Sequence, residues 1–196
     1  DTIYHEHLSY LSVKPLALFF KRFGFKLFHI ERTDIHGGSI RCFVARNGTR
    51  KMDSSVEKLL QHENEKGIYS KKTLEQFSKK VHEHRKKLKE LLLKLKSEGK
   101  RIVGISAPAK GMALLNYAEI GPELLDYVTE KSTIKIGKFT PGTHIPVKPD
   151  EALMEDMPDY GLLLAWNLAN EIMKNLSAYS KKGGKFIIPI PEPKIV

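Results

Sequence analysis

The sequence predicts an α/β fold: a parallel sheet covered on both faces, preceded by a long helix and an antiparallel strand pair. Three observations predict it. From Lys100 onward, short apolar runs alternate with helix-length segments, as strands buried on both faces require. Between Ser70 and Glu98, apolar residues recur at three-four spacing. Between Phe25 and Arg46, two runs alternate on either side of His36-Gly37-Gly38.

The elements follow in order. Ser12 to Phe23 reads as a short helix, with Ser12 as N-cap, Pro15 in the tolerant first turn and Gly24 as terminator. Phe25–Arg32 and Ser39–Arg46 read as an antiparallel pair. Asp53 to Glu65 is a second helix capped by Asp53 or Ser54. Ser70 to Glu98 is a longer one, with Leu74, Phe77, Val81, Leu88, Leu91 and Leu95 as its packed stripe and His84 filling the gap. After it come strand Arg101–Ser106, helix Ala109–Tyr117, strand Leu124–Thr129, helix Asp150–Met157, strand Tyr160–Trp166, helix Ala169–Ser180 and a closing strand Phe186–Ile190. This alternation is Rossmann-like.

Composition narrows the function classes. The 196 residues carry a formal net charge of +10, and the excess lies in residues 1–100, with 22 Lys plus Arg against 12 Asp plus Glu. The remaining residues balance at 11 against 11, which argues against a nucleic-acid-coating protein. No apolar run approaches the roughly 18 residues that span a bilayer. The single cysteine, Cys42, excludes an internal disulfide and is expected to be a small buried hydrophobe in a cytoplasmic protein.

Several segments hold residues suited to chemistry. The opening Asp1-Thr-Ile-Tyr-His-Glu-His-Leu-Ser-Tyr10 is unusually rich for a chain end, and we expect the chain to be a fragment beginning beside a site. A turn there would bring Tyr4, Glu6 and His7 together, with histidine as the natural general base near neutral pH. The spacing lacks the helical His-Glu-x-x-His pattern of zinc, so no metal is expected. His36-Gly-Gly-Ser39 permits close backbone approach to a ligand. Gly104-Ile-Ser-Ala-Pro-Ala-Lys-Gly111 follows a strand and opens a helix, where amides favour a phosphate, and Lys110 adds a charge. It is neither a Walker loop nor a dinucleotide fingerprint. Glu130 closes the next strand, where ribose-binding acids sit. Phe139-Thr-Pro-Gly-Thr-His-Ile-Pro146 reads as a rigid loop, and Trp166-Asn167 ends the third strand, where the indole could stack on a base or serve the core.

Together these motifs resemble a known family. Tyr4–Tyr10, Ile35-His-Gly-Gly-Ser-Ile-Arg41, Ala107-Pro-Ala-Lys-Gly111 with Leu115-Asn-Tyr117, Thr140-Pro-Gly-Thr-His-Ile-Pro146, Leu164-Ala-Trp-Asn167 and Gly183–Pro193 resemble, in this order, S-adenosylmethionine-dependent sugar C-methyltransferases acting on nucleotide-linked keto-deoxysugars. The resemblance implies residues 1–50 as the end of a methyltransferase domain, 51–99 as a helical connector and 100–196 as a Rossmann-like carboxy-terminal domain. It implies His7 as the base that forms an enolate, with Glu6 and Tyr4 in the same pocket. It implies substrate contacts from His36, Arg41, Ala107, Lys110, Gly111, Asn116, Glu130, Thr140, His144, Trp166 and Asn167. S-adenosylmethionine would be bound mainly by the missing domain, against which this chain packs, and zinc only in the parent protein. The substrate implied is a dTDP-type sugar, and the fragment alone is expected to be inactive. Ser106 stands where relatives usually have glycine, Glu130 where they have aspartate, and Ser132–Ile136 lacks an expected proline and glutamine.

Two other classes stay open on residues alone. One is a nucleotide or nucleotide-sugar binding module of an enzyme with different chemistry. The other is an interaction protein working through its lysine-rich helix.

Overall fold

The computed structural model describes residues 7–35 and 38–196. It divides into two units, one running to Lys79 and the other from Lys80 to Val196.

The first unit begins with α1 (Val13–Arg22), whose start is capped from a distance. Four N–H groups at a helix start lack intrahelical partners. Ser12 occupies the N-cap position, but its side chain makes no capping bond. Instead Glu63 accepts from the amides of Val13 at 2.7 Å and Lys14 at 3.3 Å. Pro15 has no donor, and Leu16 donates to the Ser12 carbonyl at 3.3 Å. Gly24, at φ +75°, ends the helix in a left-handed conformation.

Strands β1 (Phe25–Thr33) and β2 (Ser39–Arg46) pair antiparallel, with a register irregularity between Leu27 and His29. Helix α2 (Ser54–Glu65) is capped by Asp53, whose carboxylate accepts from the Ser55 amide at 2.9 Å. The Ser55 hydroxyl accepts from Ile30 N at 2.9 Å and so ties α2 to β1. Val13, Leu27, Ile30 and Val56 form the small core. Cys42 lies half-buried at its margin rather than inside it, because β2 is only partly covered. Burial, and then the nearby Glu63 charge, push its thiol pKa up.

Helix α3 spans Lys71–Ser97, but its packed stripe is shorter than the sequence pattern suggested. Leu74 and Phe77 are exposed, whereas Leu88, Leu92 and Leu95 are fully buried. Leu92 replaces Leu91 at the centre of the stripe because the helix buries the i, i+4, i+7 face. His84 fills the gap by donating from Nε2 to the Pro189 carbonyl at 2.6 Å.

The second unit is built on β3 (Ile102–Ile105), β4 (Val128–Glu130), β5 (Val147–Pro149), β6 (Tyr160–Leu163), β7 (Lys185–Ile188) and β8 (Lys194–Ile195). They form one sheet in the order β5-β4-β3-β6-β7-β8, parallel except for the antiparallel β8. Helices α4 (Ala109–Ala118), α5 (Glu151–Asp156), α6 (Ala169–Asn175) and α7 (Ser177–Lys181) connect the strands. A doubly wound order of this kind leaves a crevice where the chain reverses direction across the sheet, here between β3 and β6.

Four expected boundaries move. The strand expected over 124–129 shrinks to β4, because Leu124 and Leu125 are buried in the preceding turn. The one expected over 160–166 ends at Leu163, and Trp166–Leu168 is a 3-10 turn. The helix expected over 169–180 breaks at Leu176. The closing strand ends at Ile188, after which β8 returns antiparallel, and β5 was not anticipated. Gly111 lets α4 press on the strand end: a Cβ there would lie 2.7 Å from that of Leu164.

Candidate functional site

Two connections converge at the carboxyl ends of β3 and β6. Lys110 enters from the start of α4, and Trp166 and Asn167 from the 3-10 turn after β6. The Lys110 ammonium lies over the Trp166 ring, 4.7 Å from its centroid, and donates to Asn167 Oδ1. Burial holds the lysine pKa below its ordinary value. Trp166 is buried, so its indole serves as a floor for the cation, while Asn167 is exposed. The result is a positive charge held in one direction at a sheet crevice, suited to an anionic ligand.

Glu130, at the end of β4, has a different occupation from the one its position suggests. Its Oε1 accepts from the amides of Lys131 at 2.9 Å and Ser132 at 3.2 Å. Its Oε2 accepts from Ala107 N at 3.3 Å and Lys135 Nζ at 3.0 Å. A carboxylate offers about four acceptor positions, so this one is filled by its own chain and ribose hydroxyls would have to displace these donors. Lys135 also donates to the Ala107 carbonyl at 2.9 Å. Sequence reasoning missed Lys135 as a site residue; its signal, a lysine one short turn beyond an acid, is common on surfaces. The connection that this pair clamps contains Ser106 at φ +70°, a left-handed conformation that glycine adopts without steric cost.

Burial pushes the Glu130 carboxyl up, but the hydrogen bonds from Lys135, Ser132 and Lys131 outweigh it and hold the pKa below the ordinary 4.5. Ionised Glu130 therefore contributes stability that is present above pH 4.5 and lost as the pH falls through its lowered folded value. Glu130→Gln is expected to melt below the wild type at pH 7. The gap should close on acidification through that range, and a gap independent of pH would contradict the assignment.

The remaining residues fall into separate groups. Asn116 Nδ2 donates to the carbonyls of Met112 at 2.8 Å and Pro141 at 3.0 Å, fastening α4 to the 140–146 loop. Thr140 is buried, and its hydroxyl accepts from Ile145 N at 2.8 Å, so it shapes the loop from inside. His144 is exposed at φ +55°. His7 and Arg41 belong to the first unit. His7 is exposed with its ring 6.4 Å from that of Tyr10, and Arg41 pairs with Glu31 at 3.1 Å. Tyr4, Glu6 and His36 lie outside the described residues. Among the described residues, no group of three or more His, Cys, Asp or Glu could hold a metal ion. None of their helices is long and apolar enough to cross a membrane.

Comparison with known proteins gives this arrangement a family. C-methyltransferase NovU from Streptomyces niveus is 36% identical over 197 residues, an alignment covering 100% of this chain and 47% of NovU. The chain thus spans about half the length of that curated relative. The C-methyltransferase C-terminal domain family matches residues 34–191, and with most of its length inside that match the chain belongs to this family.

Proposed function

We propose that the chain is the carboxy-terminal part of a cytoplasmic, S-adenosylmethionine-dependent C-methyltransferase that methylates the carbon next to the ketone of a nucleotide-linked deoxysugar. Residues 1–50 then finish the methyltransferase domain, 51–99 connect, and 100–196 hold the nucleotide. The observation that carries this reading is the meeting of Lys110 with Trp166 and Asn167 at the crevice between β3 and β6. A dTDP-type diphosphate suits that cation. Glu130 keeps the connection in shape through the Ala107 amide, Gly111 lets α4 pack against Leu164, and Asn116, Thr140 and His144 are assigned as further substrate contacts. His36 and Arg41 are assigned as further substrate residues.

In this reading His7 removes the proton beside the ketone, and the electrons pass to the ketone oxygen, where a donor such as Tyr4 stabilises the charge. Glu6 lines the same pocket. S-adenosylmethionine supplies the electrophilic methyl group that the enolate carbon takes. The described strand ends here present lysines and an already occupied carboxylate, which do not suit its sulfonium cation. Its binding is therefore assigned to the remainder of the protein, as is any zinc, and the isolated chain is inactive. That remainder packs on the first unit, where Phe19, Phe23 and Phe25 are exposed around a groove of about 480 Å³.

Calorimetric titration tests the substrate half of this proposal. The chain should bind dTDP but not S-adenosylmethionine. Lys110→Met should weaken dTDP roughly tenfold or more, the value of one charge-assisted hydrogen bond. Unchanged affinity in that variant would move the nucleotide site elsewhere.

A further inference from the structure

Among the described residues Glu63 is the one buried acid, and the chemistry above makes no use of it. Its carboxylate accepts from Val13 N at 2.7 Å, from Lys14 N at 3.3 Å and from the Tyr69 hydroxyl. Tyr69 in turn accepts from Lys14 N at 3.3 Å, and the Lys14 ammonium lies 5.0 Å from the centre of its ring. Burial, and then the bond to Glu63, push the Tyr69 pKa up, so the phenol stays protonated and donates.

A helix start needs no such arrangement for stability alone. A serine at the N-cap, which this helix has in Ser12, can supply a cap without taking a charge out of water. A local cap, however, fixes only the first turn relative to its own residue. A carboxylate from the last turn of α2 fixes where α1 begins in space, because α2 is itself tied to β1 through Ser55 and Ile30. The segment His7–Leu11 is exposed and runs straight into that fixed point, and its first buried residue is Val13. The backbone that carries His7 is covalently continuous with the anchored Val13 amide, six residues further on.

We propose that Glu63, with Tyr69, is a positioning residue for methyl transfer: it holds the start of α1 so that His7 meets the proton beside the ketone. The proposal rests on the reading of His7 as the base. A displacement near 1 Å far from the chemistry costs on the order of 10²-fold in rate when orientation is the contribution lost. The loss belongs in kcat, since the nucleotide is assigned to the Lys110 crevice and not to Glu63 or Tyr69.

The test is steady-state kinetics on the complete methyltransferase, well below the melting temperature of every variant. Glu63→Gln keeps the size of the side chain but replaces one acceptor oxygen by a donor. It should lower kcat by roughly tenfold to a hundredfold with KM within about twofold. Tyr69→Phe, which leaves the carboxylate in place, should show a smaller loss of the same kind and carries the test if Glu63→Gln fails to fold. Glu63→Asp, which retains both acceptors, should recover part of the rate. Val56→Ala loosens the same small core without touching the anchor and should keep kcat within about twofold. The proposal is overturned if Glu63→Gln turns over at the wild-type rate, or if Val56→Ala loses as much as Glu63→Gln. His7→Gln separates the two layers: an active His7→Gln removes the base reading itself, whereas an inactive one with unimpaired Glu63→Gln removes only the anchor.

Discussion

His7→Gln in the complete methyltransferase is expected to lower kcat by roughly 10²- to 10⁴-fold, the contribution of a positioned general base. Glutamine approximates the reach of histidine and keeps hydrogen-bonding atoms, but it takes up no proton near neutrality. Substrate affinity should change little, because the nucleotide is assigned to the Lys110 crevice in the other unit. The direct readout is exchange of the proton beside the ketone, followed by NMR in deuterated water without the methyl donor. Wild-type protein should wash deuterium into that carbon, and His7→Gln should not. Undiminished exchange in the variant would assign the base elsewhere.

Tyr179→Ala should destabilise the second unit by roughly 3–5 kcal/mol, the range for deleting a buried aromatic ring. Tyr179 is fully buried, stands edge-on to Phe186 with centroids 5.3 Å apart, and donates to the Pro158 carbonyl at 2.8 Å. Gly184 lies so close beneath the ring that a Cβ there would collide with it. Truncation leaves a cavity and a carbonyl without its donor. Thermal unfolding should shift down by more than about 10 °C. Tyr179→Phe, which loses only the hydroxyl, should cost about 1 kcal/mol. If the two variants melted together, the hydroxyl rather than the ring would be the stabilising part.

What could be read in the sequence follows from the range of the forces involved. The cap of α2 was legible because Asp53 and the Ser55 amide it accepts from are near neighbours. The cap of α1 was not, because Ser12 has the right chemistry and the acceptor actually used, Glu63, lies in another helix. The alternation after Lys100 was enough for a parallel sheet. β5 escaped because Val147–Pro149 is short and contains a proline. Leu74 and Phe77 continue the period of α3 yet remain exposed, since periodicity records which face is apolar and not whether anything covers it. The candidate site divides in the same way. Lys110 and Trp166 were each conspicuous beside a strand end, but their meeting depends on β3 and β6 being neighbours in the sheet. The occupation of Glu130 by Lys135 depends on how a turn closes, which no local pattern records.

The pairing registers also set two different folding clocks. Strands β1 and β2 meet across a short connection, with Thr33 opposite Ser39, so their ladder can zip from the turn outward. β3 and β6 are adjacent in the sheet, yet Ile102 and Tyr160 are roughly 60 residues apart along the chain, and that loop must close before the pairing returns any free energy. Loop-closure entropy therefore predicts the junction of β3 with β6 as the slow step in forming the second unit. Lys110 and Trp166 stand at the end of that same junction, so the crevice between β3 and β6 exists only once that pairing has formed.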